Sequence, residues 1–206
     1  MKAAQFDGVT IDAYGTLVTL VDPVPALTAA LAERNVERNR DTVARGFRTE
    51  VEHYTRHSAT GRDEEGLTRL QRECARVFLE AVDADLDANG FAPVFASAMH
   101  FEVIAGVVGA LERLRSLGLE LAVVANWDLT LRRLLEEAGL AEYFRCIVHA
   151  AAKPAPDALL RALGELQVEP ARALHIGDDE VDELAARDAG MRFAPAPLAE
   201  AVGALT

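Results

Sequence analysis

Five short apolar runs limit what this chain can fold into. They read VTIDAY, LELAVVAN, RCIVHA, ALHIGDD and MRFAPA, and most are rich in Val, Ile or Leu. They lack the strict polar alternation of a strand with one wet face, so they fit parallel strands buried on both faces. Between the last four lie LTLRRLLEEAGL, PDALLRALGELQ and VDELAARDAG. Each is amphipathic at helical period, and two end on a glycine suited to a helix C-terminus. Strand, helix and strand at this rhythm predict right-handed crossovers and an α/β, Rossmann-like three-layer core around a parallel sheet.

From about Thr19 to His100 the rhythm stops. VPALTAALAERN, DTVARGFRTEVEHYTRH and LTRLQRECARVFLEAV are helical patterns, with polar breaks at TGRDEEG and DADLDANG and no convincing strand. GVVGALERLRSLG then resumes the core. The expected organisation is a core of residues 1–18 and 101–206, with residues 19–100 inserted as an all-helical cap over the strand ends.

A chain of 206 residues suits one substantial domain carrying such an insert. Its 21 basic and 33 acidic residues give a net charge of −12, which argues against nucleic acid and anionic membranes as partners. The run VIAGVVGAL is too short to span a bilayer. Asp7 and Asp12 interrupt the apolar N-terminal residues, so no signal peptide is read there and a cytoplasmic location is expected. Cys74 and Cys146 match no metal spacing and read as buried thiols in a reducing compartment. The only lysines are Lys2 and Lys153; every other basic residue is an arginine.

Ligands of open α/β sheets bind at the carboxyl ends of the strands, and four polar clusters fall there. Asp12 closes the first strand, Asn126 the second, Lys153 follows the third and GDDEVD follows the fourth. Singly, each has a structural explanation: a turn cap, a helix start or a solvated charge. Together, several carboxylates in one crevice repel one another, and a divalent cation resolves the conflict. Magnesium prefers such hard oxygen ligands, completed by water and substrate phosphate. Lys153 then helps keep Asp12 ionised and binds an anionic substrate, and Asp12 suits attack on a phosphoryl group.

The ordered set DAYGTL, VVAN, KPAPD and IGDDEVD, followed by AARDAGM, resembles the haloacid dehalogenase-like hydrolases, a superfamily with many phosphatases. The helical insert sits where that family's C1-type cap sits. The resemblance implies Asp12 as nucleophile, Thr16 as the hydroxyl that helps position it, and Lys153 as the third-motif lysine. It implies Mg²⁺ held by Asp12, the Tyr14 backbone carbonyl and Asp178, with Asp182 or Asp179 as supporting acid. Asn126, Trp127 and the Tyr14 side chain are the expected substrate contacts, and the expected substrate is a small phosphorylated metabolite.

Three departures from the family pattern stand out. Tyr14 occupies the place of the usual general acid and base; a phenol with a pKa near ~10 is a poor base at neutral pH, and such help is worth roughly 10²–10⁴-fold. Tyrosine there is familiar from the family's 2-haloacid dehalogenases, whose halide leaving group needs no proton. Ala125 replaces a Ser or Thr donor, a loss of about 3–4 kcal/mol in such sites. HAAAKP is a short approach to the lysine, which puts that loop's geometry in question. The readings are therefore a phosphatase, weakened by Tyr14 and Ala125, a dehalogenase, or a faded binding or regulatory protein. Gly177–Asp178 and Leu159 stand where the dehalogenases carry a Ser–Asn arrangement and a Tyr, which favours the phosphatase. The cap has no lysine for a Schiff base, so phosphonate cleavage drops out. His53 and His57 have i, i+4 spacing that can bind zinc, but no third ligand is evident and a surface pair is expected. Arg38, Arg40, Arg45 and Arg48 are candidates for reading substrate, but a solvated helix surface balanced by nearby acids is the expected role.

Overall fold

Parallel strands order the core in the computed structural model, which describes residues 5–205; Lys2 and the extreme N-terminus read above lie outside them. β1 (Gly8–Ile11) leads into a short pair, β2 (Val18–Leu20) and β3 (Phe101–Val103), at the two crossings into and out of the insert. β4 (Glu120–Val124), β5 (Cys146–Val148), β6 (Ala173–Gly177) and β7 (Arg192–Pro195) complete a five-stranded parallel sheet in the order β5-β4-β1-β6-β7. β1 and β6 are buried at every residue, and β4 at all but Glu120. β5 and β7, with one neighbour each, are mostly half-buried or exposed, so full coverage holds only for the three central strands. Cys146, on edge strand β5, is accordingly half-buried while Cys74 is buried.

The chain divides into two compact units, Leu20–Phe101 and the remainder. The first contains α1 (Val24–Ala32), α2 (Arg40–His57), α3 (Glu64–Ala81) and α4 (Ala88–Ser97). Side-chain caps start three of them: Asn39 accepts from Thr42 N (2.9 Å), Asp63 from Gly66 N (2.8 Å) and Asp87 from Gly90 N (2.8 Å). The last of these turns part of the break DADLDANG into the start of α4. Leu31, Val43, Leu70, Phe78 and Phe91 fill the unit's core, with Phe78 and Phe91 rings stacked at 6.1 Å. Within the same unit, Arg38 donates to the carbonyls of Val82 and Asp83, Arg40 pairs with Asp22 at 2.7 Å and Arg45 reaches Thr42 Oγ1 at 3.1 Å. His57 Nδ1–H donates to its own helix at the His53 carbonyl, and the two rings stack at 4.2 Å. The expectation of no strand between Thr19 and His100 is corrected at its first residues: Thr19 and Leu20 belong to β2, too short to leave a pattern.

In the core unit, α5 (Val107–Ser116), α6 (Leu131–Glu137), α7 (Asp157–Leu166), α8 (Glu180–Asp188) and α9 (Leu198–Gly203) accompany the sheet. Leu159, Ala162, Leu163 and Leu166 of α7 and Ala185 and Ala186 of α8 pack in one cluster with the sheet residues Ala122 and Val124. Because all five strands run the same way, the ends of β1, β4, β5 and β6 share one edge of the sheet. The strand order reverses about β1, where such folds open a crevice.

Candidate active site

Asp12 directly follows β1, and its N–H donates to Ile176 O of β6 at 2.9 Å. The side chain is thereby fixed at the central strand's carboxyl end, and the residue is 7% exposed. Lys153 Nζ donates to Asp12 Oδ1 at 2.5 Å and also to Asp182 Oδ1. The lysine arrives on a tight loop in which Ala150 and Ala152 take left-handed φ of 50° and 56°, a conformation that costs an L-residue roughly 1–2 kcal/mol. This is the backbone path by which the short HAAAKP approach reaches the lysine. Compensation comes from Ala150 N–H to Trp127 O (2.7 Å), Ala151 N–H to Ala125 O (3.2 Å) and a two-bond clamp from Asn126. In that clamp Asn126 Nδ2 donates to Lys153 O (3.0 Å) and Asn126 Oδ1 accepts from Lys153 N (2.7 Å). Asn126, expected to meet substrate, is placed here as the support of the lysine.

Oxygens of Asp12, Asp178 and Asp182 all lie within 4.8 Å of one another. Glycine makes the crowding possible at two places. A Cβ on Gly15, whose φ is +74°, would land on the Asp178 carboxylate, and one on Gly177 would run into Asp182. Burial is the largest influence on Asp12 and pushes it up to about 6; Asp182 adds to the rise and Lys153 opposes it. Asp178 is also raised, by burial and then by Asp182. At Asp182 burial is outweighed by the hydrogen bond from His175 and by Lys153, which together bring it down to about 2. Burial of Lys153 is likewise overcome by Asp12 and Asp182, and its pKa rises.

This donor set fits a hard divalent cation. One lysine cannot neutralise three ionised carboxylates; it leaves the charge that a single divalent ion would balance, and all-oxygen ligation is what Mg²⁺ prefers. Asp179 stands apart from the trio: it is the N-cap of α8, and its N–H donates to Asp182 Oδ2 at 3.3 Å. The expected histidine pair His53 and His57 belongs to no group of three metal-ligating side chains among the described residues.

The other expected positions are placed as follows. Tyr14 is 51% exposed and its backbone bridges to Val18. Thr16 Oγ1 is buried with no hydrogen-bond partner among the described residues. Trp127 is buried, its Nε1–H donating to Thr130 Oγ1 at 3.1 Å. Ala125 is buried, its N–H tied to Val148 O at 3.0 Å. The Tyr14 and Ala125 side chains take no part in holding Asp12, Lys153 and Asp182 together, and the expected weakening of activity is not supported.

Two residues of the site are not evident from sequence pattern. His175 of β6 is fully buried and its Nε2 lies 3.1 Å from Asp182 Oδ1; its Nδ1 lies 2.8 Å from Thr10 Oγ1. Thr10 and His175 are register partners across β1 and β6. A polar residue inside each of two neighbouring apolar runs is the signal that could have found them.

Comparison with known proteins matches residues 6–190 to the family of haloacid dehalogenase-like hydrolases. Phosphoglycolate phosphatase 1 of Pseudomonas aeruginosa is 33% identical over 191 residues, 85% of this chain and 65% of that protein. The chain thus spans just under two thirds of that relative's length. Among solved structures, a putative beta-phosphoglucomutase from Thermotoga maritima superposes with a TM-score of 0.72 at 19% identity, covering 97% of this chain and 98% of the other. L-2-haloacid dehalogenase from Xanthobacter autotrophicus gives 0.68 at 23% identity, covering 92% and 77%. At those identities the two structures speak for the fold alone.

Proposed function

The chain belongs to the haloacid dehalogenase-like hydrolases, and from that premise we propose that it is a magnesium-dependent phosphatase of a small phosphorylated metabolite. Residues 1–18 and 101–206 form the hydrolase core in this reading, residues 19–100 its cap, and the enzyme works in the cytoplasm. The observation that carries it is Lys153 bonded to both Asp12 and Asp182 within a group of three carboxylates.

Asp12 is the nucleophile. Its free carboxylate oxygen attacks phosphorus, the P–O bond to the alcohol breaks, and the alkoxide leaves and takes its proton from solvent water. Water then attacks the aspartyl-phosphate and returns Asp12 with inorganic phosphate, a two-step route typical of carboxylate nucleophiles. Lys153 stabilises the ionised form of Asp12 and the charge gathering on the phosphoryl oxygens. Asp182 orients Lys153, and Asn126 holds the loop that carries it. Asp12, Asp178 and the Tyr14 carbonyl would hold Mg²⁺, with Asp182 or Asp179 in support. When bound, the ion offsets the carboxylates' repulsion and orients the phosphoryl group. The phosphoglycolate phosphatase relative makes small acid phosphates the first esters to try.

Phosphate release from a panel headed by 2-phosphoglycolate, with and without Mg²⁺, tests the reading. Turnover should need the metal and vanish in Asp12→Asn. Turnover that survives Asp12→Asn overturns the nucleophile, and metal-free halide release from 2-chloropropionate without ester hydrolysis replaces the phosphatase by a dehalogenase.

A further inference from the structure

We propose that His175, held in one tautomer by Thr10, is a positioning residue that fixes the Asp182 carboxylate and, through it, the Lys153 ammonium against Asp12. The proposal rests on the phosphatase reading and extends it to two residues inside the sheet.

Asp182 Oδ1 meets two groups at once, His175 Nε2 at 3.1 Å and Lys153 Nζ, while Oδ2 accepts from Asp179 N–H. An ionised carboxylate only accepts, so Nε2 carries a proton. On the ring's far side Nδ1 lies 2.8 Å from Thr10 Oγ1 and 3.1 Å from Thr10 O. The carbonyl only accepts and would call for Nδ1–H, whereas the nearer hydroxyl can donate to a bare Nδ1, and that second arrangement is the one assigned. With Thr10 Oγ1–H donating to Nδ1, the neutral imidazole is satisfied at both nitrogens and must present Nε2–H to Asp182. The ring has little freedom to turn away: the residue is fully buried, with Phe193 tilted against it at 6.3 Å between centroids.

The need for such a brace follows from the lysine. Its ammonium sits on a flexible four-carbon stem and has no directional fork of its own, so its place depends on the acceptors around it. Asp12, the proposed nucleophile, must change its bonding in every turnover. Asp182 is the acceptor that does not react, and it is held from three sides. Buried polar chains of this kind orient the reacting groups, and losing an outer partner typically costs about 10–100-fold in activity or metal affinity.

Three measurements decide the matter. Two-bond ¹H–¹⁵N correlation spectra of the intact protein should show His175 protonated at Nε2 and bare at Nδ1; a proton on Nδ1, in the other tautomer or in the doubly protonated ring, overturns the proposal. In Mg²⁺-saturated turnover, His175→Leu and Thr10→Val should lower kcat roughly 10–100-fold with KM little changed. His175→Gln, which keeps an amide donor toward Asp182, and Thr10→Ser should recover most of that loss. Parental kcat in folded His175→Leu, a loss confined to KM, or no rescue by the conservative variants overturns it. Acylation of Lys153 by an amine reagent, read by mass spectrometry against Lys2 in the same molecule, gives a readout independent of turnover. It should be slow in the parent and in Thr10→Ser and faster in Thr10→Val and His175→Leu. If no ester is hydrolysed, the proposed function falls, and an unchanged acylation rate would then separately overturn the brace.

Discussion

Replacing Glu50 by Gln should stabilise the helical unit at pH 8 and change it little at pH 4. Glu50 lies in α2 and is 4% exposed, with the Cys74 thiol of α3 as its hydrogen-bond partner. A thiol is a weak donor, so burial dominates and lifts the carboxyl from 4.5 to about 7. The unfolded chain releases this proton near 4.5, while the folded chain holds it until about 7. Across that window the unfolded state binds fewer protons, so stability falls as pH rises, and the full loss is reached above the folded value. At about 1.4 kcal/mol per pK unit, the displacement costs about 3 kcal/mol. Gln has no charge to bury and keeps hydrogen-bonding capacity toward Cys74. Urea unfolding of parent and variant at pH 4 and pH 8, with hydrogen exchange across α2 and α3 to assign the change to this unit, measures it. The variant's advantage should grow from near zero to about 3 kcal/mol, and comparing the two proteins cancels other titrating groups, Asp12 included. An advantage equal at both pH values, or larger at pH 4, would refute the reasoning.

Gly15→Ala should lower Mg²⁺ affinity by at least about tenfold without unfolding the protein, because the new Cβ lands on the Asp178 carboxylate at a left-handed backbone position; calorimetric titration with magnesium checks it, and parental affinity would refute it. Asn126→Ala removes both bonds to the Lys153 backbone and should cost about 1–3 kcal/mol of stability along with turnover. Thermal unfolding and kcat measure the two losses, and a variant as stable and as fast as the parent would show that the clamp is not needed.

Much of the core is legible in the sequence because its central strands are buried on both faces and its crossover helices announce their stops. Gly139 and Gly190 take left-handed φ of 68° and 76° just past α6 and α8, the role their positions suggest. Legibility fails where an element is short or carries a breaker. β2 and β3 have three residues each, too few for a period. α4 contains Gly90 and Pro93, both poor helix residues. It forms because Asp87 caps it and because Phe91 and Phe95 pack on Phe78, with ring centroids 6.1 Å and 5.1 Å away. Those are tertiary reasons, and no window of the sequence contains them.

In the candidate site, residue type was readable and direction was not. Asp12, Lys153 and Asp178 are readable as candidates because acids and a lysine fall at strand ends, where the fold gathers them whatever their rotamers. Asn126 offers an amide that could face substrate or backbone, and only the loop geometry turns it to Lys153. Thr10 and His175 look like harmless interruptions because each is one polar residue in an apolar run. Their meaning appears when strand period and register are combined. Thr10 lies two residues before Asp12, and His175 two before Gly177, the glycine against which Asp182 is packed. Period two puts each pair on one face of the sheet, and the β1–β6 register sets Thr10 opposite His175. A polar side chain buried in the middle of a sheet must find a partner. Two of them on adjacent central strands, each two residues from the functional edge, are one another's nearest solution, so the pair points to the carboxylate it supports.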